Sequence, residues 1–105
     1  MFRYKRSIPV PYDVQGYIYF TSRLYQELPR GQQEKIRTLC REAGGDYADA
    51  LMAFVITDYG KQKRCSDYYI SESTLERIVK RYYLAFAEML SGFGFVWAAL
   101  LGRRP

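Results

Sequence analysis

The chain of 105 residues carries 16 Lys and Arg against 11 Asp and Glu, a net charge of +5, with 49% apolar residues. That length suits one small domain around a single core, and the charge favours an acidic partner such as nucleic acid or an anionic membrane. Histidine is absent and only two cysteines occur, which removes the commonest general base, the Ser-His and Cys-His nucleophile pairs, a closed zinc site and a disulfide framework.

The N-terminus, MFRYKRSIPVPYDV, starts with basic residues, but no apolar run follows, so it is not read as a secretory signal. A reducing, cytoplasmic setting with Cys40 and Cys65 as free thiols is the expectation. Pro9, Pro11 and Gly16 predict an extended arm over 1–16 that carries Arg3, Lys5 and Arg6. The run YIYF at 17–20 could be a strand, but no second strand-like run offers a partner. It is read instead as apolar contact leading into a helical turn over 22–27, with Thr21 as cap and Pro29 as stop.

Over 32–43, Ile36, Leu39, Cys40 and Ala43 fall at helical spacing, and Gly44-Gly45 ends that helix. Asp46 can cap the next one, whose apolar face is Tyr47, Ala50, Leu51, Phe54 and Val55. Thr57 or Asp58 can cap a third helix running to about Tyr68. A tight turn at Tyr69-Ile70 follows, and Ser71 can cap a fourth helix from Glu72, whose carboxylate suits the positive end of the helix dipole. The expected fold is therefore all-α, one domain, with supporting helices over 17–58, a helical pair over 59–83 and an apolar segment over 84–105.

Charge is uneven along the chain. Residues 1–58 hold eight Lys and Arg against seven Asp and Glu, whereas 59–83 hold six against three. On the fourth helix Leu75, Ile78, Val79 and Tyr82 share one face. Ser73, Arg77 and Lys80 lie opposite, with Thr74 and Arg81 beside them. Small hydroxyls at the start of a helix let it approach base edges, while the cations further along reach guanine or phosphate.

KQKRCSDYYISESTLERIV, residues 61–79, resembles the helix-turn-helix of small bacterial DNA-binding proteins and transposase-type domains of phages and mobile elements. Cys65 holds the place of the small residue that packs under the second helix. Ile70 follows the turn, Ser71, Ser73 and Thr74 open the second helix, and Leu75 and Ile78 enter the core. The turn often carries glycine where this chain has Tyr69, and an apolar residue is usual where it has Arg64. The resemblance covers about residues 28–86. It implies double-stranded DNA as the partner and a role as a small regulator or accessory protein of a phage or mobile element.

On that reading Ser73, Thr74 and Arg77 are the expected base contacts. Lys61, Lys63, Arg64, Lys80 and Arg81 are the expected phosphate contacts, and Arg3, Lys5 and Arg6 a minor-groove arm. The alternative is a helical protein–protein interaction module that does not read DNA. The eleven tyrosines are read as core and rim residues, Tyr47 and Tyr82 falling at core positions, rather than as a base-stacking surface. Both cysteines fall on apolar faces and are read as small hydrophobes rather than a redox pair. Asp67, Glu72 and Glu76 are read as surface partners of Arg and Lys rather than acid–base groups. No enzyme activity, catalytic residue, metal or cofactor is expected.

Residues 89–101 form a charge-free stretch containing Trp97 and followed by Gly-Arg-Arg. As a helix it would span about 20 Å against a hydrocarbon core of about 30 Å, so a membrane span is not expected. Packing back over the domain, a homodimer interface and a membrane contact are the three readings.

Overall fold

The computed structural model describes residues 2, 4–57 and 61–92, without the side chains of 61–64, 91 and 92. The fold is all-α, with no strand among the described residues. In chain order come α1 (Tyr12–Arg23), a 3-10 turn (Tyr25–Glu27), α2 (Arg30–Gly44), a second 3-10 turn (Gly45–Tyr47), α3 (Ala48–Val55), α4 (Lys61–Tyr68) and α5 (Glu72–Gly92).

The prolines start helices here. The carbonyl of Pro11 accepts from the Gln15 N–H at 2.9 Å, and that of Pro29 accepts from the Gln33 N–H at 3.0 Å. Leu28, which precedes Pro29, is extended at φ −78° and ψ 150°, as the proline ring requires of its neighbour. Pro29 thus separates the 3-10 turn from α2, which begins two residues before the expected 32. At the other end of α2, Gly45 has φ 56° and ψ −123°, backbone that a side chain strains. The expected stop at Gly44-Gly45 is found there.

Two expectations for the first third of the chain are corrected. The extended stretch ends at Pro11 rather than 16, and the helix that follows absorbs YIYF, Thr21 and Ser22, so Thr21 lies inside a helix and caps nothing. Residues 5–10, before it, are not a free arm. Ile8 and Val10 are buried, and the buried Gln15 clasps them: its amide nitrogen donates to the carbonyls of Lys5, Ile8 and Val10 at 3.0, 3.2 and 3.0 Å. Its amide oxygen accepts from the Lys5 N–H at 2.9 Å. A buried side-chain amide with this many partners offsets its own desolvation and fixes the course of the segment.

The central element is α5, which packs against α1, α2, α3 and α4. Its buried stripe runs through Leu75, Ile78, Val79, Tyr82, Tyr83, Phe86, Ala87 and Leu90. Opposite it stand Ile36, Leu39, Cys40 and Ala43 of α2, Val14 and Ile18 of α1, and Ala50, Leu51 and Val55 of α3. Each fully buried Leu or Ile here contributes about 1.5–3 kcal/mol. The core therefore extends through Leu90, so the segment from 84 begins as a continuation of α5; the part of the expected tail from 93 onward lies outside the described residues. On α3, Phe54 is half-buried and Tyr47 is exposed. The second point corrects its expected core place: Tyr47 belongs to the 3-10 turn, whose register differs from that of the helix. Asp46 lies in that turn as well and forms no side-chain cap.

Candidate nucleic-acid interface

The site is built from the end of α4, the turn and the first half of α5. Helix α4 closes when the Ile70 N–H donates to the Cys65 carbonyl at 3.1 Å, the long bond of a Schellman motif. That geometry needs the intervening Tyr69 in the left-handed region, and its φ is 54°. Ile70 then turns its side chain into the core, the hydrophobic contact that accompanies the motif. Tyr69 itself points away, 94% exposed. Glycine commonly fills this position because a Cβ there costs about 1 kcal/mol.

Ser71 caps α5 as expected. Its hydroxyl accepts from the Thr74 N–H at 3.1 Å and donates to the Thr74 hydroxyl at 2.8 Å. The expected base contacts therefore divide. Ser73 and Arg77 are exposed, while Thr74 is half-buried with its hydroxyl engaged at the cap. Lys80 and Arg81 are exposed. Arg77 stands three and four residues before them, spacings that make side chains neighbours on a helix surface.

The two carboxylates of this half, Glu72 and Glu76, lie toward one edge of the exposed face. Glu76 borders a cleft of about 380 Å³ between the N-terminal segment, α3 and α5, with Lys5 on its rim and Ile8, Phe54, Leu75 and Val79 as apolar lining.

The side chains of Lys61, Lys63 and Arg64 lie outside the described residues, as does Arg3. Lys5 is half-buried with its backbone held by Gln15, and Arg6 is exposed on the turn that follows. These two cations sit on a segment clasped to the domain rather than on a free arm. Cys65 is half-buried and Cys40 buried, both as free thiols. Among the described residues no group of His, Cys, Asp and Glu could hold a metal ion, and no described helix is long and apolar enough to cross a membrane.

The sequence reading missed a cluster of rings on the outer side of α1. Phe2, Tyr4, Tyr12, Tyr19 and Phe20 lie in mutual contact there. The available signal was the spacing of Tyr12, Tyr19 and Phe20, seven and eight residues apart, which places them on one helix face.

No protein-family model matches the chain, and comparisons with curated proteins and with solved structures find no similar protein.

Proposed function

We propose that this protein binds double-stranded DNA through α4, the Tyr69–Ser71 turn and the first half of α5, with α5 as the reading helix. The observation that carries the reading is the division of α5. Leu75, Ile78, Val79 and Tyr82 are buried, while Ser73, Arg77, Lys80 and Arg81 are exposed on the other side. A helix anchored along one face presents the other at a fixed register, which recognition in a major groove requires. Ser73 and Arg77 are the base contacts in this reading, Arg77 reaching the acceptors of guanine. Lys80 and Arg81, with Lys61, Lys63 and Arg64 of α4, answer phosphates. The role that the resemblance of residues 61–79 implies is that of a small regulator or accessory protein of a phage or mobile element.

The test is equilibrium binding to a duplex of random sequence across a range of salt. About five phosphate contacts give a log–log slope near −4 to −5. A flat response contradicts the reading.

A protein-binding module is the second reading, and the exposed rings of Tyr68 and Tyr69 favour it. Aromatic side chains held in solvent at a turn are the kind of anchor a protein partner buries. Salt separates the two, because an aromatic anchor responds weakly to ionic strength.

A further inference from the structure

Helices α2 and α5 leave a groove of about 440 Å³ between them at the surface. Its apolar lining is Leu39 of α2 with Ala85 and Met89 of α5. Ala85 and Met89 are only half-buried, and Leu84, one turn before Glu88, remains 37% exposed. This end of α5 therefore shows apolar surface that the described residues do not cover.

The charged lining is acidic. Glu34, Glu42 and Glu88 border the groove against the single cation Lys35. Glu34 is answered within its own helix by Arg37 at 2.7 Å. Glu42 and Glu88 are exposed, and among the described residues neither forms an ion pair or a side-chain hydrogen bond. A cover that suits this groove is apolar and carries positive charge.

The chain itself supplies that composition next to the groove. Residues 93–105, FGFVWAALLGRRP, follow directly on α5, whose last two turns hold Ala85, Glu88 and Met89. The stretch is apolar through Leu101, and its charged side chains are Arg103 and Arg104. Its length suffices, because the α2 wall from residue 34 to 42 runs about 12 Å and a helix over 93–105 would run about 20 Å. Other occupants fit less well. Nucleic acid would meet carboxylates, and a second copy placed groove to groove would set carboxylates against carboxylates. The same stretch of a second copy has the right chemistry, but attachment at the groove's edge gives the chain's own copy an effective concentration on the order of millimolar.

We propose that residues 93–105 turn back from the end of α5 into the α2–α5 groove of the same chain, covering Leu39, Ala85 and Met89 and setting Arg103 and Arg104 against Glu42 and Glu88. The reversal uses the backbone freedom of Gly92 and Gly94. This contact is independent of the duplex-reading face of α5 and stands whether or not that reading does.

The experiment uses Trp97, the one tryptophan of the chain, as the probe. Its emission and its quenching by acrylamide are measured on the full chain, at a dilution where sedimentation gives a monomer. The parent shows blue-shifted emission and shielding from the quencher. Exposed charge pairs are individually weak, so two carboxylates are reversed together in Glu42→Arg/Glu88→Arg, and Thr38→Arg separately obstructs the α2 wall. Both variants shift the emission to the red and lose the shielding. Adding Arg103→Glu/Arg104→Glu to the reversed groove restores it, which a local effect on α2 or α5 would not do. Melting curves establish that each variant is folded; Glu42 and Glu88 are exposed, so the reversal should leave the core intact. A folded monomeric parent whose Trp97 is quenched as freely as in the unfolded chain overturns the proposal, as does shielding that survives both groove variants. Shielding that appears only as the protein concentrates into a dimer also overturns it and assigns the segment to a second copy.

Discussion

The hydroxyls of Ser22 on α1 and Tyr82 on α5 lie 2.6 Å apart within the core, joining residues sixty positions apart in the chain. The direction of the bond follows from its neighbour. The Ser22 hydroxyl donates to the Ile18 carbonyl at 2.7 Å, so its one proton is committed and Tyr82 is the donor to it. The phenol of Tyr82 is fully buried, and that burial pushes its pKa well above the ordinary value.

The two ends of this bond are expected to differ. Tyr82→Phe removes the donor and leaves Ser22 with its carbonyl partner, which should cost about 0.5–1.5 kcal/mol. Ser22→Ala strands the phenol in the core without an acceptor and should cost about 1–3 kcal/mol. Urea denaturation of both variants measures the order. Equal losses, or a larger loss for Tyr82→Phe, would contradict this assignment of donor and acceptor.

Tyr69 carries strain that glycine would relieve. Its ring is almost wholly exposed and its φ is 54°, so Tyr69→Gly loses no packing. The gain from relieved backbone strain exceeds the entropy glycine adds to the unfolded chain, and the variant should be more stable by about 0.5–1 kcal/mol. Thermal unfolding tests this. If the same variant binds its partner less well, the ring is retained for contact at the expense of stability.

Cys40 sets an alkaline limit. Burial pushes its thiol from an ordinary value of 9.0 up to about 12, so the folded state holds the proton after the unfolded chain has released it. The contribution is complete below pH 9.0 and is lost as pH rises from there to about 12. One pH unit above the ordinary value the loss is about 1.4 kcal/mol. Stability measured between pH 8 and 10 should fall in the parent and fall less in Cys40→Ala. At neutral pH a thiol reagent should reach Cys40 only on unfolding.

The parts of the fold that were legible in the sequence are those where apolar periodicity and burial coincide. Ile36, Leu39, Cys40 and Ala43 of α2 and Leu75, Ile78, Val79 and Tyr82 of α5 are all buried, and the Ser71 cap was readable from its place before Glu72. Helix α1 was not legible, because its buried face includes Gln15 and Ser22 while rings occupy its outer side. A pattern that puts polar residues inwards and aromatics outwards sets its ring stripe on the side away from the core, so the stripe does not mark the buried face. The clasp on residues 5–10 was hidden for the same reason, since nothing local marks Gln15 as buried. At the candidate site, the exposure of Ser73, Arg77, Lys80 and Arg81 followed from helical geometry alone. The withdrawal of Thr74 into the cap did not, because it depends on which way the Ser71 hydroxyl turns. The continuation of α5 through residues 84–92 was obscured by composition: the chain turns apolar before the core ends, so core and tail read as one segment.

The measurement that tests the duplex-reading account most directly compares Arg77→Ala with Ile78→Ala, adjacent residues on opposite faces of α5. Each variant is melted, and each is titrated against its preferred duplex and a set of single-base mismatches, the preferred site being selected beforehand from random duplexes with the parent. Arg77 is exposed, so Arg77→Ala should alter stability by no more than about 0.5 kcal/mol. It should weaken binding to the preferred site by about 1–3 kcal/mol and relax the choice at one base pair. Ile78 is buried, so Ile78→Ala should destabilise the fold by about 2–5 kcal/mol through a core cavity and keep its discrimination among duplexes wherever it remains folded. An Arg77→Ala protein that binds every duplex as the parent does would contradict the claim that α5 reads DNA.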